Sequence, residues 1–82
     1  MITVKYYGPL RRLTGMPEEE IEANRVSEII KAIGKRHGKE AAKEAEKCFI
    51  MVNGRNAALL NGFRTPLKSG DLVQIIPLTG GG

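Results

Sequence analysis

A chain of 82 residues makes one domain, and at this size folding buries only about 60–65% of the surface the unfolded chain exposes, so the core is thin and has little room for an internal cavity. Hydrophobic residues make up 41% of it and charged residues 27%, and no apolar run approaches the ~18 residues of a membrane span, which excludes a transmembrane helix and sets a globular expectation with no membrane partner. Thirteen Lys and Arg against nine Asp and Glu give +4, a balance that favours acidic partners in general. The basic residues are spread from Lys5 to Lys68 and there are four aromatics, so no stacking platform for a single strand is evident and no nucleic-acid partner is expected. The opening Met1-Ile2-Thr3-Val4-Lys5 lacks the pattern of a secretory leader, and the expected location is the cytoplasm. Cys48 stands alone, which rules out an internal disulfide. With only His37 for company, it offers no transition-metal cluster, and no metal site is expected.

From Ile2 to Tyr7, the residues Ile2, Val4 and Tyr6 alternate with Thr3, Lys5 and Tyr7, the period of a strand with one buried face. Lys5 marks the wet side, and Tyr7 shares it by parity. Gly8-Pro9 breaks the strand, and Leu10 to Gly15 reads as a single helical turn closed by glycine. Glu18 to Ala23 is a weak second strand with Ile21 and Ala23 facing in and Glu20 and Glu22 facing out; its acidity suits an edge. Val26, Ile29, Ile30 and Ile33 form the stripe of the main helix, with Asn24 as candidate N-cap and His37 and Gly38 at its end. His37 reads as a helix-end residue and not a catalyst, because no carboxylate or thiol lies at a spacing that implies pairing. Lys39 to Lys47 is helical again, with Ala41, Ala42 and Ala45 on a small-residue face and interleaved Lys and Glu on a solvated one.

Cys48-Phe49-Ile50-Met51-Val52 is apolar throughout, as a strand covered on both faces would be, and Asn53-Gly54 after it is a strong hairpin signal. Cys48 is expected to be a small core residue, since no cation is placed to lower its pKa. A short return arm runs from Arg55 to Leu60. Thr65 to Gly70 turns the chain into the last strand, Asp71 to Ile76. Gln74 marks the wet face of that strand and Ile76 shares it. If the first and last strands are neighbours, Tyr7 and Ile76 meet as an apolar patch, with Leu60 a third member.

Pro77 has no N–H for a neighbouring strand, so the expected division is a domain over 1–76 and a flexible tail over 77–82, Pro77-Leu78-Thr79-Gly80-Gly81-Gly82. Glycines carry no side chain to clash with an enclosing slot, and six extended residues at ~3.3–3.6 Å each reach roughly 20 Å. Gly-rich ends also serve as plain linkers, so the tail gains meaning only from what precedes it.

Leu10-Arg11 with Leu13 and Gly15, Val26 with Glu28-Ile29-Ile30 and Ile33, Val52-Asn53-Gly54, Pro66-Leu67, Gly70-Asp71 and Val73, and finally Pro77, Gly81 and Gly82 carry a resemblance over essentially the whole chain. In these residues and their spacing the sequence resembles the MoaD/ThiS family of ubiquitin-like sulfur carriers, and most closely the MoaD branch, the small subunits of molybdopterin synthase. It departs from that branch in having Leu78 where a second proline is usual, Arg12 where an acidic residue is usual, and a basic balance where an acidic one is usual. The resemblance implies an α+β fold, the ubiquitin-like β-grasp, a small mixed sheet with one main helix packed on one face.

It also implies a carrier and not an enzyme in its own right, with no permanently bound cofactor. An adenylating enzyme of the ubiquitin-activating kind, MoeB-like, would dock on Tyr7, Leu60 and Ile76. It would draw in Pro77, Leu78, Thr79, Gly80 and Gly81 and use its own ATP and Mg to turn the Gly82 carboxylate into an acyl-adenylate. A sulfur donor enzyme would make this a thiocarboxylate. The large subunit of the synthase, MoaE-like, would receive the sulfur for the dithiolene that holds molybdenum or tungsten. Sulfur delivery to thiamine, cysteine or tRNA thiolation, isopeptide formation with lysine as a protein modifier, and a basic β-grasp module that binds RNA are the alternatives.

Overall fold

The computed structural model describes residues 1–78; Thr79, Gly80, Gly81 and Gly82 lie outside the described residues. Its strands are β1 (Ile2–Tyr6), β2 (Glu18–Ile21), β3 (Phe49–Val52), β4 (Arg55–Asn56) and β5 (Leu72–Ile76), and its helices are α1 (Gly8–Thr14), α2 (Val26–His37) and α3 (Lys39–Glu46). The strands form one sheet in the order β2-β1-β5-β3-β4. β1 and β5 are parallel at its centre and every other pair is antiparallel, the mixed sheet that was expected. The alternating residues Ile2, Val4, Tyr6, Ile50, Val52, Val73 and Ile75 turn one face inward, where the stripe Val26, Ile29, Ile30 and Ile33 of α2 closes over them. No helix among the described residues is long and apolar enough to cross a membrane.

Several local expectations give way to tertiary contacts. The turn after β1 is a longer helix that already begins at Gly8, with Leu10 buried, and the Gly15 N–H closes it on the Arg11 carbonyl at 2.9 Å. Asn24 does not cap α2. Arg25 holds that place without a side-chain bond, and Glu28 reaches back to accept the Asn24 N–H at 2.7 Å. The Val26 N–H donates to the Thr65 carbonyl at 3.0 Å, so a distant loop satisfies an end that local capping leaves open. The small face of α3 is structural: Ala41 and Ala45 are buried in the core. β3 is covered on one face only, since Ile50 and Val52 are buried while Phe49 is exposed and Met51 half-buried. The return arm pairs for only two residues, because the Asn56 side chain accepts the Ala58 N–H at 2.9 Å and starts a 3-10 turn at Ala57.

The Asn53-Gly54 turn forms as expected, with φ of 50° and 84°, both left-handed as a type I′ hairpin needs. Asn53 also ties this tip to the start of β5. Its side chain donates to Asp71 at 2.9 Å and accepts the Leu72 N–H at 2.9 Å, and its own N–H donates to the Leu72 carbonyl at 2.8 Å. The second Asp71 oxygen accepts the Lys68 N–H at 2.9 Å. The Asn53 bond, then the Lys68 N–H, holds the Asp71 carboxyl below its ordinary range. The two halves of the sequence signature thus meet in space as one structural lock.

Candidate functional site: the open sheet face and the root of the tail

The face of the sheet turned away from the helices carries the residues left over from the alternation. In the parallel pair Lys5 stands beside Gln74 and Tyr6 beside Ile75, so the next step brings Tyr7 beside Ile76. In the antiparallel pair Ile76 faces Phe49 and Gln74 faces Met51. Directly paired residues point to the same side of a sheet. Tyr7, Ile76 and Phe49 therefore lie abreast across three strands, at the end of β5 from which the tail departs. The Gln74 amide donates to the Tyr7 hydroxyl at 3.0 Å and holds the ring along the sheet. Tyr7 and Ile76 are half-buried, and Phe49 is 41% exposed.

Leu60 is not brought to this patch. It is exposed and lines a shallow hollow with Val52, Asn53, Thr65 and Asp71, at the opposite end of β5. The reason is the early end of β4: the 3-10 turn takes the chain off the sheet before Leu60 can reach the tail's end of it. Two residues that the sequence did not single out stand nearer. Phe49 and Phe63, both exposed, line an apolar groove of about 350 Å³ with Cys48, Ala58 and Leu78. Phe49 was hidden by its place in a continuous apolar run. Its facing relation to Ile76 requires the strand order, which the run itself does not supply.

Pro77 is half-buried, and its ring lies against Gly8. Leu78 is exposed over the groove. Thr79, Gly80, Gly81 and Gly82, the remaining members of the expected site, lie outside the described residues.

At the far edge of the same end of the sheet is a polar cluster that local spacing concealed. Glu19 lies opposite Val4 and accepts from the Tyr6 hydroxyl at 2.5 Å and from Arg36 at 2.9 Å, and its carboxylate stands 2.6 Å from the His37 ring. His37 does pair with a carboxylate, across 18 residues of sequence. Burial works to raise the Glu19 pKa, but the bonds from Tyr6, His37 and Arg36 outweigh it and hold the carboxyl below its ordinary value. Burial first, and the Glu19 bond second, push the Tyr6 hydroxyl upward. The cluster fastens β2 to β1 and α2. Cys48 is half-buried and donates to the Glu44 carbonyl at 3.3 Å, and burial raises its thiol. No group of three or more His, Cys, Asp or Glu among the described residues could hold a metal ion.

A five-stranded mixed sheet closed over one main helix, with its last strand central, defines a ubiquitin-like β-grasp domain. The ThiS family profile matches residues 4–82, and the chain belongs to that family. It is 33% identical over 72 residues to a candidate sulfur carrier protein of Archaeoglobus fulgidus, covering 77% of this chain and 82% of the relative. A candidate subunit 1 of the molybdopterin converting factor from Pyrococcus furiosus superimposes with a TM-score of 0.76 at 36% identity, covering 95% of this chain and 97% of that one. CysO, in the BexX/CysO complex from Amycolatopsis orientalis, superimposes with a TM-score of 0.85 at 29% identity, covering 100% of both chains. The MoaD/ThiS reading of the sequence and the β-grasp fold it implied both stand.

Proposed function

We propose that this chain carries sulfur on its terminal glycine for the synthesis of the molybdopterin dithiolene, as the small, non-catalytic subunit of the synthase. The observation that supports this reading best is the placement of Tyr7, Ile76 and Phe49 around the end of β5, which gives a partner an apolar face to grip at the root of the tail. The 36% identity to the Pyrococcus protein supports the choice of pathway. A partner enzyme binds ATP and magnesium; an oxygen of the Gly82 carboxylate attacks the α-phosphorus and pyrophosphate leaves. A sulfide then attacks the acyl carbon, the bond to AMP breaks, and a thiocarboxylate remains. The carrier contributes the acyl group and the docking face. Activation is required because a bare carboxylate is a poor electrophile.

Delivery of the same sulfur to a different acceptor enzyme is the second reading, favoured by the match of CysO to this chain over its whole length. Incubating the chain with an activating enzyme, ATP, magnesium and sulfide should raise its intact mass by the difference between sulfur and oxygen. Removal of Gly82 should abolish the gain. The loaded protein, mixed with a large synthase subunit and the cyclic pterin phosphate, should yield the dithiolene. Loading without pterin conversion would move the assignment to the second reading, and no mass gain would refute both.

A further inference from the structure

Gly8 begins α1 with a φ of +57°, and a Cβ built there would stand 2.9 Å from Cγ of Pro77, 3.6 Å from its Cδ and 3.7 Å from its Cβ. The left-handed φ alone would favour glycine but would still admit Asn or Asp. A side chain at this position would also crowd Pro77, since under 3.0 Å one of the two groups must shift. At Gly15, Gly38, Gly54, Gly62 and Gly70, which also have positive φ, a Cβ would meet nothing within 4 Å. Gly8 therefore differs in what its missing side chain makes room for: the ring of the first residue of the tail. Because that ring is part of the backbone and fixes its own φ, whatever holds the ring also aims the chain that follows.

We propose that Gly8 is a positioning residue for the tail: it seats the Pro77 ring and so sets the direction in which the chain leaves the sheet toward the Gly82 carboxylate. This rests on the carrier reading above. A partner that grips Tyr7, Ile76 and Phe49 fixes the body, and the seat then fixes where the tail departs relative to that grip. Misplacing a reacting group by about 1 Å can cost 10²-fold in rate.

The test compares the wild type with Gly8→Ala, Pro77→Ala and the double variant. Pro77→Ala removes Cγ and Cδ and leaves a Cβ 3.7 Å from the methyl that Gly8→Ala adds, an ordinary contact. In the isolated chains, amide relaxation at Leu78 should report lost order when Gly8→Ala is made beside the native Pro77, and little further change when it is made in the Pro77→Ala background. In the ATP- and sulfide-dependent loading assay, Gly8→Ala should lower kcat roughly 10- to 100-fold with KM unchanged, while the same change in the Pro77→Ala background should alter kcat little. Equal losses in both backgrounds would overturn the proposal, for Gly8 would then matter only through its backbone conformation. A wild type that gains no sulfur would refute the carrier reading, and the relaxation comparison would still decide whether Gly8 seats the ring.

Discussion

Glu19 lies on the inward side of an edge strand, opposite the fully buried Val4, where an apolar residue would be the default. It is tolerated because a hydroxyl, a guanidinium and an imidazole converge on it. Its folded pKa is depressed, so the stability it contributes is full above the unfolded carboxylate value and is lost as pH falls through the folded one. Glu19→Gln should lower unfolding free energy at neutral pH by about 1.5–3 kcal/mol, the range for hydrogen bonds to charged groups. It should also flatten the acid limb of stability against pH. Urea titrations of both proteins across the acidic range would measure the two effects together, and an unchanged acid limb would mean the cluster is not what fails on acidification.

The junction between the β3–β4 hairpin and β5 shows which parts of the fold were legible in sequence. Asn53-Gly54 announced a turn because two consecutive left-handed residues are rarely written otherwise. Nothing local announced that the Asn53 side chain would also hold Asp71. Asn53→Gly keeps the φ and loses the side-chain bonds, whereas Asn53→Ala loses both. The first should destabilise by about 1–2 kcal/mol and the second by about 1 kcal/mol more, resolved by chemical denaturation. The same division runs through the chain. Strands β1 and β5 and the stripe of α2 were readable because burial at period two or 3.6 is a property of neighbours in sequence. The Glu19–His37 pair, the Thr65 cap on α2 and the seat of Pro77 on Gly8 are contacts between distant segments, and no periodicity records them. Leu60 was misplaced for a related reason: extending the return arm as a strand would have carried it along the sheet, but Asn56 ends the strand first.

Taken whole, the molecule turns one face of its sheet to the core and leaves the other partly open, and the chain leaves at one end of that outer face. On the proposed carrier reading, a partner sits at that end. Ile76 and Phe49 are adjacent at the tail's end of the sheet, while Leu60 lies at the opposite end of β5. All three are at least partly open to solvent, so each can be changed without opening the core. Ile76→Asp and Phe49→Asp should each weaken binding of the proposed activating enzyme by about 2 kcal/mol or more, as loss of a central apolar anchor does. The cost to the domain's own stability should stay near ~1 kcal/mol, the span of strand preferences. Leu60→Asp should leave that binding within about 0.5 kcal/mol of wild type, as surface changes away from an interface do. Calorimetric titration with the activating enzyme, paired with thermal melts of each variant, separates the two quantities. Should Leu60→Asp weaken binding as much as Ile76→Asp, the partner must cover the sheet from end to end, and the docking face would extend from the tail's root to the Asn53–Asp71 lock.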